Sequence, residues 1–232
     1  MHNPVLRWLG LAFVLCFCLS PFAFSDDSLT AIDILLEPDE AMRVQARADN
    51  ARLRENDPES FALDGTHIPH ISVLQCYVYT RDLDKVFAAV KQVTQAQSFV
   101  GTELTTTGYF YIPWQGQELA GINIALTSEL RSYQRAIMDA VQPFTAKNGT
   151  SEAFVPNDDG SPVGEAIIRY VSSFDSQHTG EHYSPHITIG IGREDFLRKM
   201  TTAAPYTPIT FKAMRVGVYH LGDFGAARKK LA

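Results

Sequence analysis

Residues 69–73 read PHISV and residues 185–189 read PHITI, so one five-residue pattern occurs twice in the chain. Each copy contains, in the same order, a proline, a histidine, an isoleucine, a hydroxyl residue and a β-branched aliphatic residue. Isoleucine, valine and threonine favour β-strands, in which successive side chains point to opposite faces of the sheet. The pattern therefore predicts two similar strands, one in each half of the chain.

In such a strand the histidine and the hydroxyl lie on the same face, about 7 Å apart along the backbone. His70 and Ser72 form one such pair, and His186 and Thr188 form the other. Hydroxyls can donate hydrogen bonds to phosphoryl oxygens, and imidazole titrates close enough to neutrality for one ring to act as a base and another as an acid. Two such pairs across a cleft would bracket an anion, which predicts two catalytic histidines and two phosphate-binding hydroxyls.

A histidine two residues before a serine or threonine is a weak signal by itself. The chain contains a third example, His182-Tyr183-Ser184, which lacks the apolar surroundings of a strand and runs into Pro185. A single copy of the pattern would suit a half-buried strand histidine beside a solvated hydroxyl. Two full copies favour a functional role.

Composition limits the partners of this protein. The 232 residues carry a formal net charge of −6. A protein that binds long nucleic acids needs clustered lysine and arginine to displace counterions from many phosphates. Extended nucleic-acid binding is therefore not expected, and any phosphate is expected to be held locally.

The first 25 residues have the features of a secretory signal peptide. Arg7 precedes an apolar run, and Ala23 and Ser25 place small residues before two acids. Because the run is shorter than the roughly 20 residues needed to cross a bilayer, cleavage after Ser25 is favoured over an uncleaved anchor. Residues 1–25 are therefore predicted to be removed, and the mature chain is predicted to be exported to a bacterial periplasm, or secreted, without a stable membrane anchor.

Cysteine usage indicates a core without disulfides. Cys16 and Cys18 lie within the signal segment, so cleavage would leave Cys76 as the one cysteine of the mature chain. Cys76 lies in the apolar run SVLQCYVY, where a buried small hydrophobic residue is expected rather than a nucleophile. The core must then be held together by packing alone.

Strand and helix patterns alternate along the mature chain, which we predict to be a single domain over residues 26–232. Residues 147–162 (KNGTSEAFVPNDDGSP) are rich in Gly, Pro, Asn and Asp and predict the loop that connects two halves. The expected strands are 31–36, 70–79, 103–112, 119–127, the second pentapeptide and 209–221. The expected helices are 38–56, 82–95, 128–146 unless Pro143 ends it early, 163–174 and 194–200.

The triplets at residues 70–72 and 186–188 resemble the paired H-x-S/T motifs of the 2H phosphoesterases. This family includes bacterial 2′-5′ RNA ligase-like proteins and eukaryotic cyclic phosphodiesterases. Residues 216–225 (VGVYHLGDFG) also resemble the closing strand of such proteins. The resemblance spans residues 30–225, although three short segments carry it. It implies an α+β, bilobal, duplicated fold in which two antiparallel sheets flank a central cleft, with helices on the outside.

The resemblance also implies the chemistry, which is a metal-independent opening of 2′,3′-cyclic phosphates of nucleotides or short RNA ends, without a cofactor. One of His70 and His186 would take a proton from the attacking water, and the other would protonate the departing ribose oxygen. Ser72 and Thr188 would bind the non-bridging oxygens of the phosphate. The sequence leaves open which histidine is the base.

Other substrate contacts are specified less well. Arg169 and Tyr183 are candidates because they lie near the second motif in the sequence, although Tyr183 suits a packing role better. The acidic balance favours a small-molecule cyclic nucleotide or a short oligoribonucleotide over long RNA. We expect a monomer.

Two other functions are compatible with parts of the sequence. His178, His182 and His186 recur every four residues and would present metal-ligand spacing on a helix, but Gly180 and Pro185 disfavour that helix, so no metal site is expected. The alternative of a different class is a secreted binding module that holds a phosphorylated ligand without turning it over. Intact motif residues do not exclude it, because a fold and a site can be kept for binding alone.

Overall fold

Helices and strands alternate along residues 27–58, 60–202 and 205–232, the part of the chain that the structure, a computed structural model, describes. The predicted signal peptide, residues 1–25, lies outside the described residues. Among the helices that are described, none combines the length and the apolar character needed to cross a bilayer.

The described residues form eight strands and five α-helices. The strands are β1 (Leu29–Pro38), β2 (Ile71–Tyr79), β3 (Glu103–Trp114), β4 (Gln117–Ile124), β5 (Thr145–Ala146), β6 (His186–Gly192), β7 (Thr210–Leu221) and β8 (Ala227–Lys230). The helices are α1 (Glu40–Asn56), α2 (Leu83–Gln97), α3 (Ser128–Val141), α4 (Glu165–Gln177) and α5 (Glu194–Thr202). The two motifs lie at the start of β2 and at the start of β6.

All of these strands belong to one connected sheet. Its order is β5-β2-β1-β7-β3-β4-β6, with β8 paired to β7, and each pairing is antiparallel. The predicted α+β class is therefore confirmed. One sheet replaces the two that were expected, because β7 is long enough to pair with β1 through residues 213–220 and with β3 through residues 210–212.

The sheet curls so that its two motif strands approach each other. Five strand spacings separate β2 from β6 in the sheet order, which would place them about 24 Å apart in a flat sheet. The hydroxyl of Tyr183, just before β6, nevertheless donates a hydrogen bond to the carbonyl oxygen of Ser72 in β2, at 2.9 Å. The curvature therefore brings together two motifs that are far apart along the sheet.

Each motif strand is also backed by a helix from the other half of the chain. Helix α1 follows β1 but packs on β6, where Nδ2 of Asn50 donates to the carbonyl oxygen of Ile189 at 2.8 Å. Helix α4 precedes β6 but packs on β2, where the hydroxyl of Tyr77 donates to the carbonyl oxygen of Ile168 at 3.0 Å. Because each half covers a strand of the other, both contribute to one main apolar core, in which Cys76 is buried as expected.

Two of the differences from the expected helix boundaries occur at prolines. Pro38 was expected to open α1 but ends β1 instead, and Asp39 caps the helix by accepting a hydrogen bond from the backbone N–H of Met42 at 3.0 Å. Helix α3 was expected to reach residue 146 unless Pro143 ended it early, and it ends at Val141, two residues before this proline, whose ring is incompatible with a continuing helix.

The predicted connection at residues 147–162 is a packed loop. It contains one short 3₁₀ turn at Ser151–Ala153, and Phe154 is buried in a second apolar cluster. The backbone N–H of Val155 donates to the carbonyl oxygen of Leu221 at 2.8 Å. The loop therefore contributes to the core instead of acting as a free linker.

Candidate active site

The two motif histidines are held by the backbone in the same way. Nδ1 of His70 lies 2.7 Å from the carbonyl oxygen of Ile68, and Nδ1 of His186 lies 2.8 Å from that of Ser184. A carbonyl oxygen can only accept a hydrogen bond, so Nδ1 carries a proton in both rings. Nε2 is therefore the nitrogen through which each histidine can act on a ligand.

The prolines of the motifs help to create this shared geometry. Pro69 and Pro185 each separate the histidine from the residue whose carbonyl oxygen holds it. A residue before proline is restricted to extended conformations, which limits the directions its carbonyl can take. The proline of each motif thus helps to orient the ring that follows it.

The motif hydroxyls occupy matching positions in two bulged strand pairs. Ser72 lies opposite Leu35 of β1, and Thr188 lies opposite Gly121 of β4. In both ladders the register shifts immediately after the hydroxyl residue, so that one residue of the motif strand is left without a partner. A bulge of this kind changes the alternation of faces and brings the residue three places after the hydroxyl to the hydroxyl's side.

In the first strand pair this arrangement surrounds a buried carboxylate. Asp33 of β1 lies opposite Gln75 and is 0% exposed. Its Oδ2 accepts hydrogen bonds from Oγ of Ser72 at 2.6 Å and from Nε2 of Gln75 at 2.9 Å. Nε2 of His70 lies 3.3 Å from the same oxygen. Since an ionised carboxylate only accepts, the hydroxyl proton of Ser72 is directed at Asp33.

The second strand pair has apolar residues at the matching positions. Leu119 of β4 lies opposite Ile191, three residues after Thr188, and both are buried. Within the described residues, no side-chain hydrogen bond engages the hydroxyl of Thr188. This hydroxyl is therefore able to donate to a ligand, in contrast to that of Ser72.

An aromatic ring supports His186. The ring centroids of Phe110 and His186 lie 5.1 Å apart with an interplanar angle of 77°, an edge-to-face arrangement. Phe110 lies across Gly121 so closely that a Cβ atom there would be 2.4 Å from the phenyl ring. The missing side chain at Gly121 therefore allows Phe110 to reach the histidine.

The two motifs meet at a small cavity of about 20 Å³ that is lined by His70 and Thr188. Its wall includes Phe61, His67 and Phe224, and the rings of Phe61 and His67 stack with centroids 5.1 Å apart. A cavity of this size is far smaller than a nucleotide site, which typically measures hundreds of Å³. A phosphate ester would therefore have to lie at the mouth of the cavity.

The two histidines differ in the charge that their surroundings favour. Burial lowers the pKa of His70, but the hydrogen bond and charge of Asp33, with smaller contributions from a backbone carbonyl and from Glu37, raise it overall above its ordinary value. Burial lowers the pKa of His186, and the charge of His70 adds to this effect, which the backbone carbonyl and Asp33 offset in part. The environment therefore favours a charged His70 and a neutral His186.

Neither of the two candidate substrate contacts lines the cavity between the motifs. The side chain of Tyr183 is 5% exposed, and its hydroxyl is used by the carbonyl oxygen of Ser72. The side chain of Arg169 is 73% exposed on α4 and lies 3.9 Å from the carboxylate of Glu165 in the same helix. Tyr183 thus connects the segment just before β6 to β2. Arg169 makes no described contact with either motif.

The three histidines of the metal alternative do not lie on one helix. His178 follows α4 and packs against Tyr170 with ring centroids 4.3 Å apart, His182 ends a short 3₁₀ turn, and His186 begins β6. Across residues 27–58, 60–202 and 205–232, no group of three or more histidine, cysteine, aspartate or glutamate side chains is arranged to hold a metal ion.

Sequence reasoning missed Asp33, Gln75 and Phe110. Asp33 had left a usable signal, because it is a single carboxylate within the apolar strand sequence AIDILL. Aspartate is almost never fully buried unless it is paired, so a carboxylate at such a position predicts a nearby donor. Gln75 and Phe110 carried no comparable signal, since polar and aromatic residues are common in strands.

Comparison with known proteins adds no assignment to this geometry. No family model matches the chain, and no curated protein matches it.

Proposed function

We propose that this chain is a metal-independent phosphodiesterase of the 2H type, which opens the 2′,3′-cyclic phosphate of a nucleotide or of a short RNA end. The observation that carries the proposal is the unequal setting of the two histidines. His70 lies against the carboxylate of Asp33, whereas His186 lies against the aromatic ring of Phe110. An acid and a base that work together near neutral pH need opposite protonation states, and these settings favour them.

His186 is the base and His70 is the acid in this mechanism. Nε2 of His186 takes a proton from a water molecule, whose oxygen attacks phosphorus. The bond between phosphorus and one ribose oxygen breaks, and Nε2 of His70 gives that oxygen its proton. The product is a phosphomonoester on the other ribose oxygen, and proton exchange with solvent returns both rings to their starting states.

Thr188 is the main phosphate ligand in this mechanism. Its hydroxyl donates to a non-bridging oxygen, where negative charge increases in the transition state. Ser72 was expected to do the same, but a hydroxyl has one proton, and that proton is directed at Asp33. Ser72 therefore contributes less to phosphate binding than Thr188.

A duplicated, bilobal architecture is part of the proposal. It is supported by the matching register shifts in the β1–β2 and β4–β6 pairs and by the matching contacts between Nδ1 and a backbone carbonyl. The two ends of the curled sheet, β5-β2-β1 and β3-β4-β6, would then correspond to two sheets that flank a cleft.

The proposed ligand is a small-molecule cyclic nucleotide or a short oligoribonucleotide, in keeping with the net charge of −6. The protein would act as a monomer without a cofactor. Its site of action would be a bacterial periplasm or the cell exterior, reached through the signal peptide predicted at residues 1–25.

A non-catalytic binding module is the second candidate, and one observation favours it. Asp33 already engages both Nε2 of His70 and the hydroxyl of Ser72, so the first motif is satisfied without a ligand. A site of this kind could hold a phosphorylated molecule through Thr188 while the imidazole of His70 stays in contact with Asp33. Turnover separates the two candidates.

Hydrolysis of 2′,3′-cyclic AMP in the presence of EDTA tests the proposal. We expect turnover by the purified protein and a loss of about 10² or more in kcat/KM for His70→Ala and for His186→Ala. His182→Ala is the matched control, because His182 is exposed and belongs to an H-x-S triplet that lies outside the strands. Binding without turnover would favour the binding module, and activity that EDTA abolishes would contradict the metal-independent mechanism.

A further inference from the structure

We propose that Asp33 is a positioning residue for the reaction, whose buried carboxylate holds Nε2–H of His70 and the hydroxyl of Ser72 and thereby makes the first motif the proton donor. The inference rests on the proposed function and names what decides the roles within that site. It adds a residue that belongs to neither motif.

The hydrogen bonds of Asp33 converge on one oxygen atom. Oδ2 accepts from Ser72 and Gln75 and lies 3.3 Å from Nε2 of His70, while Oδ1 has no partner within the described residues. The side chain is fully buried, so bulk water does not solvate its charge. A buried carboxylate is costly unless it is paired, which makes a protonated imidazole the natural counterpart at this position.

No other cation replaces His70 in this role. Among the described residues, His70 forms an ion pair with Asp33, and no lysine or arginine does. Nδ1 of His70 is already protonated, because it is bonded to a carbonyl oxygen. A second proton, on Nε2, turns the 3.3 Å contact with Oδ2 of Asp33 into an ion pair that offsets the buried negative charge. The contact therefore favours a proton on Nε2, the nitrogen that acts as the acid in the proposed mechanism.

The matching position in the second motif explains why His186 behaves differently. Leu119 stands opposite Ile191 where Asp33 stands opposite Gln75. An apolar pair offers neither charge nor hydrogen bond, so nothing at this position favours a proton on His186. The strand that pairs with each motif, rather than the motif itself, thus separates the acid from the base.

Other titratable groups around the site do not take over the role of Asp33. Glu37 of β1, His67 and His186 also face His70. A charge on either of these two imidazoles repels a charge on His70, so neither favours its protonated form. The carboxylate of Glu37 is already bonded to a tyrosine and a lysine. Tyr170 and Tyr183 lie near Asp33, and burial raises the pKa of both phenols, so they stay neutral at the pH values of interest.

The test is a pH titration of His70 in the absence of substrate, in which NMR of its ring nitrogens reports the protonation state. Asp33→Asn keeps the shape and one acceptor oxygen but removes the charge, so we expect the His70 midpoint to fall by ~1–3 pH units. Asp49→Asn is the matched control, because Asp49 is 1% exposed and accepts hydrogen bonds from Gln45 and Tyr109 outside the site. This control should leave the His70 midpoint in place.

The outcomes separate this inference from the proposed function. An unchanged His70 midpoint in a folded Asp33→Asn protein would overturn the positioning role, even if the enzyme is active. Failure of the wild type to hydrolyse any cyclic phosphate would contradict the proposed function. The His70 midpoint measured by NMR would still show whether Asp33 favours the protonated ring. In an active enzyme, the alkaline limb of the pH–rate profile should move with the His70 midpoint.

A second measurement keeps the inference testable if Asp33→Asn does not fold. In the wild-type protein at pH 6.5, the fraction of rings with protons on both nitrogens should be larger for His70 than for His186. A protonated fraction of His70 at or below that of His186 would contradict the inference directly.

Discussion

Asp33 and Leu119 occupy equivalent positions in the two motif strand pairs. Each lies opposite the residue three places after the motif hydroxyl, Gln75 in one pair and Ile191 in the other, and each follows the same one-residue shift in register. One motif therefore has a buried carboxylate where the other has a leucine. Two pentapeptides that look alike in sequence thus lie in different electrostatic surroundings.

The pH dependence of hydrolysis should show this difference. The rate falls on the acidic side as His186 gains a proton, below the ordinary histidine value of about 6.5 because the pKa of His186 is lowered. The rate falls on the alkaline side as His70 loses its proton, above about 6.5 because the pKa of His70 is raised. We expect kcat/KM to follow a bell-shaped profile with its acidic limb below that value and its alkaline limb above it.

The pH profiles of the two alanine variants assign each limb to one histidine. In the residual activity of His186→Ala the acidic limb should disappear, and in that of His70→Ala the alkaline limb should disappear. The reverse pattern would make His70 the base and contradict the assignment proposed above.

The two hydroxyls should contribute unequally to catalysis. Thr188→Val removes a donor that no described residue engages, so we expect a loss of ~10²–10³ in kcat, as for removal of one oxyanion donor. Ser72→Ala should cost less, because the proton of Ser72 is directed at Asp33 at 2.6 Å. Steady-state kinetics on a cyclic nucleotide measures both, with Thr188→Ser as the conservative variant that should retain most activity. Equal losses for the two hydroxyls would show that Ser72 turns from Asp33 to the phosphate.

Gly121→Ala should displace Phe110 from His186. The new Cβ would lie 2.4 Å from the phenyl ring and 2.9 Å from the carbonyl oxygen of Ile187, so the ring or the strand must move. We expect a destabilisation of about 1–3 kcal/mol, typical of overpacking, together with a fall in kcat. Urea unfolding and kinetics test the two effects.

Gly108→Ala is the control for this substitution. Gly108 lies in β3, which pairs with the strand that contains Gly121, and a Cβ atom at Gly108 would have no neighbour within 4 Å. Its stability and activity should stay close to those of the wild type. If Gly121→Ala behaves like Gly108→Ala, Phe110 is not held in place by this close contact.

Tyr183→Phe should weaken the joint between the two motif strands. The substitution leaves the carbonyl oxygen of Ser72 without the hydroxyl that donates to it at 2.9 Å, which should cost roughly 1–3 kcal/mol of folding stability. Tyr133→Phe is matched to it, since Tyr133 is 0% exposed and its hydroxyl bonds to Thr94 away from the motifs. Thermal unfolding should show a similar loss for both, but only Tyr183→Phe should lower kcat. Unchanged turnover in Tyr183→Phe would mean that this bond does not position the motifs.

Much of the secondary structure followed from local patterns. The alternation of strands and helices and the α+β class were predicted, and the strand at residues 103–112 and the helix at 82–95 each lie within a few residues of the structure. The short strands β5 and β8 were not expected, because two and four residues carry too little pattern to distinguish a strand from a loop. The single sheet was also not expected, since pairing of β7 with both β1 and β3 depends on residues far apart in the chain.

The sequence by itself determined the local parts of the candidate site. The proline before each histidine and the carbonyl two residues before it are close in the chain, so the direction of Nε2 follows from the motif. Only the tertiary structure decided which histidine keeps its proton. A pKa depends on burial and on charges nearby in space, and the carboxylate that matters most, Asp33, lies 39 residues from Ser72 and reaches the motif through strand pairing and a bulge.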